Sequence, residues 1–260
     1  METLGIIGCG KMGQALMARI IPTQSTHIIC CDINENILTA IKNQFGSRVQ
    51  CTNDIEIVAN QADVVILAVK PAQARQVLTQ LACGCSKIIL SMVAGIKRSA
   101  LQAFAGPQTV VRIMPNTPAL VGEGAMVMLD DGITPEVKKI TNDIFSKAGY
   151  CHWITSEAQM DAVTGLSGSG PALFAILIEA LADAAVAEGL PRTLALDLAR
   201  ETMLGTAKLL EKEHPAILKE NVMSPGGTTA AGVLAAENSG FRHAAQSFVN
   251  AATEKSRNMG

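Results

Sequence analysis

The sequence predicts an α/β chain in two parts, a largely parallel sheet covered by helices over residues 1–156 and an all-α part over residues 157–260. Three observations carry this. Short runs rich in Val and Ile alternate with amphipathic segments through the first half, the pattern of βαβ units. A glycine loop, Gly8-Cys9-Gly10-Lys11-Met12-Gly13, follows the first run at once and opens a helical period. Beyond Trp153 the β-rich runs stop, and Ala- and Leu-rich stretches punctuated by Gly-Pro, Leu-Pro and His-Pro take over.

In chain order, strands are expected at Leu4–Ile7, His27–Cys31, Val64–Val69, Ile88–Val93, Val110–Met114, Ala125–Leu129 and Cys151–Ile154. Several are unbroken apolar runs, as in strands covered on both faces, and the later ones extend the sheet, some of them antiparallel. In the second half Pro171 and Pro191 mark helix starts, where a missing N–H is harmless. The helix from Ala172 to Glu188 is apolar around most of its circumference, so it must be buried. About a hundred residues cannot bury it alone, which predicts packing against a second copy of the chain.

Composition excludes several classes of function. With 48% hydrophobic and 17% charged residues the chain is a compact globule, and a net charge of -2 provides no basic stripe for nucleic acid. Met1 runs almost directly into Leu4-Gly5-Ile6-Ile7 without a signal pattern, and no uninterrupted apolar stretch is long enough to span a bilayer, so the chain is expected in the cytoplasm. Seven scattered cysteines read as reduced thiols. Cys83-Gly84-Cys85 has no second ligand pair, and no metal is expected.

The glycine loop is specific in its setting. Gly8 makes the tight turn, Gly10 lets a diphosphate approach the backbone, and Gly13 lets helix and strand pack closely, while Cys9, Lys11 and Met12 complete a Rossmann-type dinucleotide turn. The helix start then offers free N–H groups to phosphate. Asp32 stands at the end of the second strand, where an acidic residue is expected about 20 residues on. It either accepts from the adenosine ribose, favouring NADH over NADPH, or serves as a cap or turn residue. Ala68-Val69-Lys70-Pro71 ends another strand at the same edge, with Lys70 either lining the cofactor cleft or solvated. In Met114-Pro115-Asn116-Thr117-Pro118 two prolines bracket Asn116, which is either held toward the cofactor or part of an ordinary turn.

Two small-residue loops lead into helices in the second half, Gly165 to Pro171 and Met223 to Thr229. Either is an anion nest suited to a carboxylate or only a helix cap. Read together and in order with the earlier motifs, they resemble the pyrroline-5-carboxylate reductase family over nearly the whole chain. Leu218-Lys219-Glu220-Asn221-Val222 running into Ser224-Pro225-Gly226-Gly227-Thr228-Thr229 is the most specific stretch.

The resemblance implies a helical domain that interlocks with its mate in a homodimer, and often a ring of dimers such as a decamer. It also implies that Val222, Ser224, Gly226, Gly227, Thr228 and Thr229 hold the substrate, with Gly227 to Thr229 at its carboxylate and the Thr229 hydroxyl near the imine nitrogen. The chain departs from the family in having Asp32 where many members carry small or hydroxyl residues suited to NADPH. It departs again at Asp54, where relatives commonly have an asparagine on the adenosine side.

The expected reaction is reduction of the C=N bond of L-1-pyrroline-5-carboxylate to L-proline by NAD(P)H, the last step of proline biosynthesis. No residue in the second half announces itself as a general acid; His214 reads as a loop histidine and Glu213 as a contributor at most. A β-hydroxyacid dehydrogenase of the same plan would need a lysine after the domain junction, and Ser156 to Gly189 contains none. The non-enzymatic alternative is a dimer that senses NAD(P) without turnover, which has no use for a carboxylate nest.

Overall fold

The computed structural model describes residues 2–21, 26–84 and 88–259, so Cys85 lies outside the described residues. Among the described residues eight strands form one sheet in the order β3-β2-β1-β4-β5-β6-β7-β8. They are β1 (Thr3–Ile7), β2 (His27–Cys31), β3 (Val49–Thr52), β4 (Val64–Leu67), β5 (Ile88–Ser91), β6 (Thr109–Met114), β7 (Gly124–Leu129) and β8 (Gly149–Ile154). The first six run parallel, β7 is antiparallel to β6, and β8 is parallel to β7. β1 is central, with strand order reversing between it and β4. In such sheets ligands gather at the carboxyl ends beside that reversal.

Alternate residues of each inner strand feed opposite cores, as a period of two demands. Ile6, Cys30 and Ile66 pack on one face, and Ile7, Ile29, Val65 and Leu67 on the other. Helices α1 (Lys11–Ile20), α2 (Glu35–Phe45), α3 (Ile55–Gln61), α4 (Pro71–Leu81), α5 (Arg98–Ala105) and α6 (Pro135–Phe145) cover the two faces. Seven strands stand where the sequence put them. β3 has no counterpart in the sequence reading, because only Val49 of its four residues is buried and an edge strand this short leaves almost no apolar period.

The chain divides into two compact units, Met1–Ser169 with Ala251–Gly260, and Gly170–Asn250. The sheet unit therefore keeps α7 (Glu157–Val163), which begins where the sequence places its boundary. Buried Arg112 of β6 pairs with Glu157, whose carboxylate also accepts from the Arg98 backbone N–H at 3.2 Å, tying α7 to β6 and to the start of α5. The last turns of α12 (Phe241–Arg257) close the same unit, with Ser256 Oγ donating to Asp161 at 2.8 Å.

The helical unit contains α8 (Gly170–Ala187), α9 (Arg192–Leu209), α10 (Pro215–Val222), α11 (Thr228–Asn238) and the first part of α12. The all-round apolar character of α8 is real, but the single chain does not satisfy it. Only Gly170 and Ala182 are buried, while Phe174, Ile176 and Leu181 are each at least half exposed, as are Leu204 and Leu209 of α9 and Leu234 of α11. So many exposed large apolar side chains on these helices suit an interaction face. The helical run Glu157–Ala187, of 31 residues, contains an 18-residue stretch of mean hydropathy 1.7 and is long and apolar enough by composition to cross a membrane, although no uninterrupted apolar stretch in it is. It passes because isolated polar residues such as Glu179 and Asp183 interrupt the apolar run without lowering its average much.

Candidate functional site

The site at the sheet's carboxyl edge is built by backbone. Gly8 leaves β1 with φ +89, and a Cβ there would sit 2.6 Å from the Ala68 carbonyl oxygen, so only glycine makes this turn. A Cβ on Gly13 would meet the Gly8 oxygen at 2.5 Å, which is the close strand-to-helix packing the motif requires. Gly10 is different: nothing lies within 4 Å of its missing Cβ, leaving its outer face open to a ligand. Gly10 caps α1 without a side-chain hydrogen bond, and the first turn carries no acidic residue. The N–H groups of Lys11, Met12 and Gly13 begin the helix and precede its first returning bond, Gln14 N–H to Gly10 oxygen at 2.9 Å. An open glycine, free donors and a positive helix end fit a diphosphate.

Asp32 is engaged on both oxygens. One accepts from the Cys9 N–H at 2.7 Å and the other from the Asn34 N–H at 2.9 Å. The helix cap is Asn34, which accepts from Asn36 N–H at 3.0 Å, so Asp32 anchors the glycine loop and makes the turn. Each carboxylate oxygen retains a second lone-pair direction for a ribose hydroxyl. Gln14 Nε2 donates to the Cys9 carbonyl at 2.9 Å and stiffens the loop from the helix side, a role sequence reasoning missed. Asp54, the second departure from the family pattern, caps α3 by accepting from Glu56 N–H at 2.9 Å.

The Cys9 thiol faces inward and is fully buried. Its contact with Cys30, followed by burial, pushes its pKa far above the ordinary thiol value. Burial pushes Cys31 up to about 12, with Cys9 adding to the shift. These thiols stay neutral and have no nucleophilic part in the site. Among the described residues no group of three His, Cys, Asp or Glu side chains is placed to hold a metal.

At the end of β4, Ala68 N–H donates to the Ile7 carbonyl at 2.8 Å, and Val69 and Lys70 lead to Pro71 at the first position of α4. Lys70 is exposed at this helix start. After β6, Asn116 is held from two sides: its Oδ1 accepts from Ala125 N–H at 2.9 Å and its Nδ2 donates to the Ser167 carbonyl at 3.2 Å. Its amide is thus committed within the sheet unit, to the start of β7 and to the π turn Thr164–Gly168 that follows α7.

In the helical unit the Met223–Thr229 loop has the form of an anion nest. Gly226 adopts φ +70, Gly227 N–H closes onto the Ser224 carbonyl at 3.0 Å, and Gly227 caps α11 with no side-chain bond. Thr228 and Thr229 are the first two residues of α11, so their N–H groups precede its first returning bond, Ala231 N–H to Gly227 oxygen. Val222 is exposed at the end of α10. His214 is the cap of α10, its Nδ1 accepting from Ala216 N–H at 3.2 Å, and Glu213 accepts from Asn221 at 2.6 Å. Both side chains are therefore occupied by local structure.

A family model described as pyrroline-5-carboxylate reductase dimerisation matches residues 157–259, and one described as NADP oxidoreductase coenzyme F420-dependent matches residues 3–95. The pyrroline-5-carboxylate reductase of Arabidopsis thaliana is 42% identical over 264 residues, covering 98% of this chain and 95% of its own length. That of Escherichia coli K12 is 34% identical over 267 residues, covering 99% and 98%. The chain belongs to the pyrroline-5-carboxylate reductase family. Among solved structures, the Plasmodium falciparum pyrroline carboxylate reductase with NADP bound aligns at TM-score 0.87 with 33% identity, covering 100% and 99% of the two chains. The Coxiella burnetii pyrroline-5-carboxylate reductase aligns at TM-score 0.90 with 30% identity, covering 99% and 98%. Membership accounts for the uncovered faces of α8, α9 and α11: they lie within the dimerisation region of a reductase that assembles with copies of itself. The apolar run Glu157–Ala187 lies wholly within the same matched region.

Proposed function

We propose that this chain reduces the C=N bond of L-1-pyrroline-5-carboxylate to give L-proline. One observation carries the reading: a chain related to these reductases over its full length keeps both required binding elements, the open turn at Gly8 to Gly13 and the nest at Gly226 to Thr229. Bound NAD(P)H would supply the hydride received by ring carbon C5. The protein's part is orientation and electrostatics. Lys11, Met12 and Gly13 hold the diphosphate through backbone N–H groups, and Asp32 holds the loop that presents them. Thr228 and Thr229 N–H groups, with Ser224, Gly226 and Gly227 shaping the turn and Val222 beside it, bind the substrate carboxylate. The Thr229 hydroxyl lies at the ring nitrogen and passes it a proton drawn from water, since an alcohol is too weak an acid to act alone.

Asp32 favours NADH. An acceptor-only carboxylate suits a ribose 2′-hydroxyl and repels a 2′-phosphate, and Ile33-Asn34-Glu35-Asn36 brings no cation to offset it. Asp32→Ser should move the NADPH-to-NADH ratio of kcat/KM toward NADPH by at least about tenfold. Absolute activity with NADH should fall as well, because the Cys9 N–H loses its partner. An unchanged ratio would show that Asp32 only anchors the loop.

The assembly is a homodimer whose dimers join in a ring, and buried neutral thiols suit the reducing cytoplasm. Light scattering of the purified protein reads the assembly directly. Mixing the protein with NADH and pyrroline-5-carboxylate, and following cofactor oxidation together with proline formation, tests the activity. Cofactor binding without oxidation is the outcome that belongs to the sensor reading.

A further inference from the structure

Between α7 and α8 the helix widens into the π turn Thr164–Gly168, with Ser169 N–H reaching back to the Thr164 carbonyl at 2.9 Å. Three residues further on, Pro171 does not begin a helix, as the sequence pattern suggests, but lies inside the continuous helical run Glu157–Ala187, so its missing N–H is not harmless there. A proline there has no N–H to return to the residue four positions earlier, and its ring crowds that residue's carbonyl. That residue is Ser167. The Ser167 carbonyl is the group to which Asn116 Nδ2 donates, at 3.2 Å. The amide's orientation is fixed independently, since its oxygen faces the Ala125 N–H, which can only donate. Asn116 thus supplies the donor that Pro171 lacks, and it does so from the carboxyl end of β6, the edge at which the sheet unit receives its ligand. A π turn beside a proline is a built point of bending. It falls where the sheet unit ends, at Ser169.

We propose that Asn116 is a positioning residue: its amide splints the π turn and holds in place the end of the sheet unit at Ser167-Gly168-Ser169. The inference rests on the reductase reading for its kinetic readout. It assigns Asn116 no contact with the reacting atoms. Removing the splint loosens this end and leaves the glycine loop intact, so turnover suffers while nucleotide binding does not.

The test is a double-mutant cycle on the full-length protein. Asn116→Ala should lower kcat/KM for pyrroline-5-carboxylate by on the order of tenfold to a hundredfold, the cost of misplacing a site from a distance. Nucleotide affinity should be unchanged, and amide exchange should rise across residues 164–170. Pro171→Ala restores an N–H to the same position. In that background Asn116→Ala should lose much less, so the two changes should be strongly non-additive. Additive losses, or a rise in exchange spread evenly over the sheet unit, would overturn the splint and leave Asn116 a general structural residue. A wild-type protein without turnover would instead overturn the reductase reading, and the exchange measurement would still decide the splint.

Discussion

Gly10→Asp is expected to abolish nucleotide binding while leaving the fold as stable as before. The two consequences separate because nothing lies within 4 Å of the Cβ position at Gly10, so a Cβ there meets no atom of the protein. Aspartate is moreover a better cap than glycine for α1, whose cap makes no side-chain hydrogen bond. The carboxylate would occupy the face the diphosphate needs and compete for the same N–H groups. Like charges set against each other in a binding site cost several kcal/mol, so nucleotide affinity should fall by on the order of a hundredfold or more. Thermal unfolding should be unchanged or shifted slightly upward. Gly8 cannot serve for this experiment, because a side chain there collides with the Ala68 carbonyl at φ +89 and would disturb the turn itself. Retained nucleotide affinity in Gly10→Asp would mean that the diphosphate does not lie on this turn.

Thr229→Ala should lower turnover on the order of tenfold to a hundredfold without weakening nucleotide binding, the range expected when one oriented hydrogen bond to a developing charge is removed. Stability should not suffer: Thr229 is the second residue of α11, makes no cap bond, and alanine is the better helix former. Thr229→Ser keeps the hydroxyl and should recover most of the rate. If turnover at saturating substrate is the same in all three proteins, the hydroxyl takes no part in the chemistry and the nest acts through its backbone alone.

The two mutations also mark how far the sequence was legible. The β1-turn-α1 unit is readable because its requirements are local: the spacing of Gly8, Gly10 and Gly13 states the turn, the approach and the packing within six residues. The strands are readable where both faces are buried, since a short unbroken apolar run such as Val64–Leu67 suits a strand covered on both sides and is too brief for a helix. β3 is not, because a half-exposed edge strand of four residues has little period to show.

The side-chain roles that escaped sequence reading depend on distant partners. Asp32 is visible as an acid after a strand, but its bond to Cys9 N–H spans 23 positions. Asn116 is visible as an amide between prolines, while its partner Ser167 is 51 positions away and acquires its need only because Pro171 follows it. The apolar circumference of α8 predicts burial, whereas within one chain only Gly170 and Ala182 of that helix are buried, so the sequence pattern reads a face that the single chain leaves uncovered.

Hydride tracing with the purified wild-type protein tests the proposed reaction most directly. NADH deuterated at the nicotinamide C4 position that donates is mixed with pyrroline-5-carboxylate, and the product is followed by mass spectrometry and NMR. The expected product is L-proline carrying one deuterium at C5, formed in step with NADH oxidation. Bound NADH that is never oxidised, or proline without deuterium at C5, would contradict hydride transfer from the Gly8–Gly13 site to the ring.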